Sequence, residues 1–183
     1  MVEPARTLER TYHFQGKRVT LRTDRFAYPD GSVHVREIVE HPNSVCVVPV
    51  DDHGNVLLVR QWRTPVDGVL LEIPAGVIEH GEEPIVCAQR ELREETGFSA
   101  ARLVPLGDFY AAPGTVTERL FAFLATGLRH DPLNADDDER IDLVRLPFKQ
   151  ALAMARRGEL HDGKSIAGIA MAAPRVARMR FAH

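Results

Sequence analysis

Cysteine is scarce in this chain, with two residues in 183, and two thiols give no framework for a disulfide-stapled fold. Cys46 sits inside the apolar run SVCVVPV and Cys87 on the apolar side of a predicted helix, so both read as buried thiols of a reducing cytoplasm. Positive charge is not in excess either. The 23 Lys and Arg face 26 Asp and Glu, and a net charge of -3 excludes a globally basic nucleic-acid binder. No apolar run approaches the roughly 20 residues of a membrane span. The opening MVEPARTLER has no apolar signal core, so the expected location is the cytoplasm and no membrane partner is expected. Repeats and low-complexity tracts are missing as well. What remains is an ordinary globular composition, 44% hydrophobic and 27% charged, enough for one sizeable core with an appendage.

The pattern along the chain divides at about residue 42. Residues 1–42 alternate as strands, and PDGS places a hairpin turn at Asp30-Gly31. Such a sheet is too thin to stand alone and must pack on the rest of the chain or on another copy. Residues 43–183 mix both periods. SVCVVPVDDHGNVLLVRQWR reads as a second hairpin turning at DDHGN, followed by a strand LLEIPAG that ends at Gly76. A helix is predicted from about Glu83 to Thr96, with Pro84 in its first turn and Ile85, Val86, Ala88 and Leu92 as its apolar stripe. Strands follow at RLVPLGDFYAA, RLFAFLATG and IDLVRLP. Helices follow at FKQALAMARRGEL and KSIAGIAMAAPRVARMR, the last expected to break near Pro174. Without regular βαβ alternation the class is α+β, a mixed sheet between helices.

One stretch strains the usual rules. In RELREETGF, Glu91, Glu94 and Glu95 crowd the last helical turn before the stop residue Gly97. The helix dipole is negative there, and aligned carboxylates repel, each effect worth roughly 0.3–1 kcal/mol. Arg90, four residues before Glu94, offsets part of the cost and leaves Glu91 and Glu95 as an unpaired, aligned couple. A hard divalent cation repairs that geometry, because Mg²⁺ takes carboxylate oxygens and bridges to phosphates. The scattered histidines and cysteines offer a softer metal no home.

Counting outward gives Gly76, five residues, Glu82, seven residues and then RELREETGF. That spacing, G-x5-E-x7-R-E-L-x-E-E-x-G-F, resembles the Nudix box without a gap. VREIVEHPNSVCVVPV, LVRQWR, LEIPAG and APG beyond the box resemble the ADP-ribose pyrophosphatase branch, whose marker proline matches Pro113. The resemblance implies an α/β/α sandwich, bound Mg²⁺ or Mn²⁺, and hydrolysis of ADP-ribose to AMP and ribose 5-phosphate, a step of nucleotide sugar metabolism. It also implies a homodimer whose N-terminal strands reach the partner's site.

Carried over by motif position, Glu91 and Glu95 ligate metal together with the Ala75 carbonyl. Glu94 supports them or ligates, and Glu82 orients the loop or binds a further cation. Gly76 and Pro113 line the substrate site and Arg63 of RQWR binds phosphate. Arg36 and Glu37 contact adenine, and Glu118 lies near the terminal ribose. Glu139 of ADDDER supplies the base, with Asp137 standing where some members have Glu. Arg18 and Arg36 lie where members often carry aromatics that stack on adenine. Two other readings remain: a hydrolase of another nucleoside diphosphate sugar, such as an ADP- or GDP-hexose, and a non-hydrolysing ADP-ribose sensor.

Overall fold

The computed structural model describes residues 3–134 and 140–181. They form two units: residues 3–43 with 110–119, and residues 44–109 with 120–134 and 140–181.

The second unit is organised by one strand, β4 (Ser44–Pro49), buried along its whole length. A strand buried on both faces reads as a continuous apolar run rather than an alternating one, and VCVV is such a run. Its side chains alternate between two layers. Val45 and Val47 pack with Cys87, Ala88 and Leu92 of α1 (Pro84–Thr96). Cys46 and Val48 pack on the other face with Phe148 and Ala151 of α2 (Phe148–Arg157) and Ile169, Ala172 and Val176 of α3 (Gly163–Val176). Helices on both faces of a mixed sheet make the α/β/α sandwich. Leu92 is fully buried, so truncating it to Ala would cost about 2–5 kcal/mol.

The sheet around β4 runs β7 (Ala75–Val77), β4, β9 (Arg119–His130), β8 (Phe98–Tyr110). β4 pairs antiparallel with β7, Cys46 opposite Ala75, and parallel with β9, Cys46 opposite Ala122. A second sheet holds β5 (Asn55–Arg63) between β10 (Ile141–Pro147) and β6 (Gly68–Glu72). The two cysteines are not joined by a disulfide and lie in opposite layers.

In the first unit, β1 (Arg6–Gln15), β2 (Thr20–Ala27) and β3 (Val33–Glu40) form one antiparallel sheet. Gly31 takes φ +86° in the turn that joins β2 to β3, and the Asp30 carboxylate accepts the Ser32 N–H at 2.9 Å. Residues 110–119 extend this unit beyond the N-terminal stretch. Val39 N–H donates to Thr115 O and Thr117 N–H to Val39 O.

Three expectations are corrected. DDHGN does turn, with Gly54 at φ +79°, but beyond the Val50–Val56 bridge β4 and β5 diverge into different sheets. The reason is that β4 takes β7 and β9 as its neighbours. LLEIPAG is two strands, because Pro74 has no N–H to continue a ladder and the chain bends between Glu72 and Ala75. Pro174 does not break α3, which continues to Val176. It falls in the final turns, where only one backbone bond is forgone.

Candidate active site

The bend at Ile73-Pro74 fixes the floor of the site. Val47 N–H donates to Pro74 O at 2.8 Å, and Ile73 N–H donates to Ser165 Oγ at 2.8 Å. The next residue, Ala75, gives its N–H to Glu95 Oε2 at 3.1 Å. Gly76 then lies so close to α1 that a Cβ on it would stand 2.0 Å from the Glu91 carboxylate. Only a glycine admits that carboxylate. Glu91 and Glu95, one turn apart on α1, are both buried.

The loop from β7 to α1 is closed by Glu82, which accepts the Glu79 N–H at 3.0 Å and grips Arg90 with both oxygens. Arg90 is the hub. Its Nε and Nη2 each lie 3.0 Å from Glu82, and its Nη1 lies 2.6 Å from Glu91 and 2.9 Å from Glu94. Nη2 also donates to the Val77 carbonyl at 3.1 Å. Hydrogen bonding from Arg90 holds the Glu82 carboxyl down at about 2, and the Glu82 bond in turn pushes the guanidinium up. Burial pushes the Cys87 thiol up, keeping it an inert neutral group beside the hub.

This corrects the expectation that Glu91 is unpaired. Arg90 reaches Glu91, Glu94 and Glu82 together, because one guanidinium has five N–H donors on a flat fork. Among the described residues, no three His, Cys, Asp or Glu side chains converge as a ready metal cage. The carboxylates here face a guanidinium. The donor set is nonetheless all oxygen, anionic and pressed against a glycine, which suits a hard cation that keeps part of its water.

Arg63, at the end of β5, places Nε and Nη2 each 2.8 Å from the oxygens of Glu72, at the end of β6. That bond pushes the Arg63 guanidinium up, and the Glu95 charge adds to it. Burial alone would raise Glu72, but Arg63 and Lys164 outweigh it and hold the carboxyl below its ordinary range. Lys164 bonds to Glu72 and lies 3.0 Å from Asp162, the N-cap of α3. Sequence reasoning missed Glu72, Lys164 and Asp162. An acid between Leu71 and Ile73 in an apolar strand was the available signal, as was the D-x-x-S start of α3.

Arg36, Glu37, Pro113 and Glu118 all belong to the other unit. Arg36 is exposed on β3, with its guanidinium 5.7 Å from the Phe26 ring centroid, and Glu37 follows it in the strand. Pro113 is exposed in the loop 111–118, and Glu118 lies 3.5 Å from His41. Glu139 and Asp137 lie outside the described residues. No helix among those residues is long and apolar enough to cross a membrane.

A mixed-sheet sandwich, with a strand, a tight loop and a helix that buries a carboxylate pair against a glycine, defines a class of protein on its own. The comparisons with known proteins agree. Residues 40–168 match the family model described as NUDIX domain, and the chain belongs to that family. It is 36% identical over 162 residues to an ADP-ribose pyrophosphatase of Bacillus subtilis (strain 168), covering 87% of this chain and 88% of that one. It is 34% identical over 166 residues to a methanol dehydrogenase activator of Bacillus methanolicus, covering 90% of each. A solved structure described as an ADP compounds hydrolase superposes with TM-score 0.86 over 97% of this chain and 96% of that chain, at 21% identity.

Proposed function

We propose that this chain is a divalent-metal-dependent pyrophosphohydrolase that splits ADP-ribose into AMP and ribose 5-phosphate. The observation that carries the reading is the Glu91–Glu95 pair, buried against Gly76 and Ala75 in a Nudix chain. Its similarity to an ADP-ribose pyrophosphatase over most of both lengths supports the choice of substrate.

Glu91, Glu95 and the Ala75 carbonyl would hold Mg²⁺ or Mn²⁺, with Glu94 beside them. The bound ion supplies a more acidic water and neutralises diphosphate charge. The chain's own groups do the rest. Arg90 balances the acids and, through Glu82, fixes the loop that shapes the site. Arg63 offers planar N–H donors to a phosphate oxygen. Glu139, or Asp137 in its place, takes the proton from the attacking water as the P–O bond of the diphosphate breaks. Arg36 and Glu37 contact adenine from a partner subunit in a homodimer of the cytoplasm, while Glu118 and Pro113 border the terminal ribose. The thin first-unit sheet, with Tyr12, Phe14, Val33 and Val35 exposed, supports that dimer.

A hydrolysis panel tests the reading: ADP-ribose, ADP-glucose, GDP-mannose and NADH with Mg²⁺ or Mn²⁺, products resolved by chromatography, and light scattering run alongside. The expected result is a dimer that turns over ADP-ribose most efficiently, gives AMP and ribose 5-phosphate, and stops in chelator. Release of ADP or of inorganic phosphate alone would refute pyrophosphate cleavage. Faster turnover of a hexose substrate would move the reading to that sugar, and binding of ADP-ribose without turnover would make the chain a sensor.

A further inference from the structure

We propose that Glu72 and Lys164 are positioning residues for Arg63: Glu72, held in place by Lys164, occupies one edge of its guanidinium and so presents the other edge to a diphosphate oxygen. The inference rests on the hydrolase reading above and assigns a task to residues outside the Nudix box.

The geometry is specific. Two parallel bonds of 2.8 Å, Nε to Oε1 and Nη2 to Oε2, fix the plane of the guanidinium as well as its place. A guanidinium has five N–H groups, so Nη1 and the second Nη2 hydrogen remain. The Arg63 side chain keeps 34% of its exposure, whereas the Glu72 side chain keeps 1%. The acid is sealed in and the cation is not. Glu95, the proposed metal ligand, is near enough for its charge to act on Arg63.

Glu72 is itself anchored at two points to the start of α3. Lys164 bonds to its carboxylate and also lies 3.0 Å from Asp162. The neighbouring residue, Ile73, donates its N–H to Ser165 Oγ, and the Ser165 hydroxyl and N–H both turn to Asp162. Two cations and two anions balance within this group. A buried ionic group of this kind is a poor source of stability, since well-packed apolar residues often do as well. What apolar packing cannot do is set the plane of a half-exposed guanidinium.

Double-mutant cycles on the full chain test the inference, using R63A, E72Q, K164M, K164R and the combinations R63A/E72Q and R63A/K164M with ADP-ribose and Mg²⁺. Arg63→Ala should raise KM most. Glu72→Gln should raise KM about tenfold with kcat changed less, the scale of a lost charge-assisted bond. Lys164→Met should raise KM about threefold, and Lys164→Arg should restore it. In the R63A background, E72Q should add less than twofold. An undiminished effect of E72Q in that background would overturn the inference, as would lower thermal stability with unchanged KM. If E72Q does not fold, the cycle of R63A with K164M decides by the same criterion. If R63A leaves kcat and KM unchanged, Arg63 does not meet the diphosphate and the inference fails. Absence of turnover in the unaltered chain would instead sink the parent reading. Calorimetric binding of inorganic pyrophosphate across the same variants then decides the positioning role by the same cycle.

Discussion

Glu82→Gln isolates the tie between the loop and α1. The substitution keeps the length of the side chain and an oxygen to accept the Glu79 N–H, but removes the charge that grips Arg90 at 3.0 Å through both oxygens. The Glu82 carboxyl titrates at about 2 in the folded chain against an ordinary 4.5, chiefly because Arg90 bonds to its ionised form. At about 1.4 kcal/mol per pKa unit, that difference corresponds to about 3 kcal/mol. The side chain is 12% exposed but sits in a loop between two exposed residues, Gly81 and Glu83, so solvent screening discounts that figure. Because the amide also keeps part of the hydrogen bonding, a loss of about 1–3 kcal/mol is expected at pH 7, or a Tm lower by about 2–12 °C. A depressed folded pKa fixes the sign with pH. Above 4.5 the contribution is complete, and it is lost as pH falls through about 2, because the unfolded chain takes up its proton first. Urea unfolding of both proteins in chelator at pH 7 and pH 3 should therefore show the gap between them narrowing by about half. A gap of the same size at both values would refute the assignment of this charge to stability, as would a Glu82→Gln protein as stable as the parent at pH 7.

Gly76→Ala places a methyl 2.0 Å from a carboxylate that Arg90 holds at 2.6 Å. Thermal unfolding in chelator should show a loss of about 1–3 kcal/mol, the usual cost of overpacking, and metal affinity by calorimetry should fall with it; unchanged affinity would mean Glu91 is not a ligand. Glu95→Gln keeps an acceptor for Ala75 N–H while deleting a charge that opposes the helix dipole. In chelator its Tm should rise by about 1–3 °C, and its turnover at saturating Mg²⁺ should collapse. A clear fall in Tm would make Glu95 a structural residue, and near-normal turnover would place the metal elsewhere.

What could be read in the sequence divides by the range of the contact. The carboxylates of α1, the turn at Asp30-Gly31 and the apolar run of β4 are local patterns, with periods and stop signals in adjacent residues. Their elements appear close to where those patterns put them. The destination of β5 was not local. DDHGN supplies all the chemistry of a hairpin, and Gly54 does turn there, but whether the strands stay paired depends on β9, some 65–75 residues further on. Glu72 was hidden for a related reason. Its partners Arg63 and Lys164 lie 9 and 92 residues away, and no spacing rule connects a strand end to a helix start at that distance.

The paired state of Glu91 follows from the same limit in a smaller form. Helical spacing assigns Arg90 to Glu94, and that bond exists at 2.9 Å. Spacing says nothing of Glu82, which sits in the tight loop before the helix, yet Glu82 takes two of the guanidinium's bonds. Arg90 must therefore lean back over the loop, and in doing so it passes Glu91 at 2.6 Å. The acid cluster consequently needs no cation from outside to persist in the folded chain. Arg90 lowers its internal repulsion, while Glu95, bound to a backbone N–H one turn later, is held by a different element. A metal that binds here must compete with Arg90 for Glu91 and with the Ala75 N–H for Glu95. Substitutions at the two positions should separate on that account, Glu91 changing the balance with Arg90 and Glu95 changing the grip on β7.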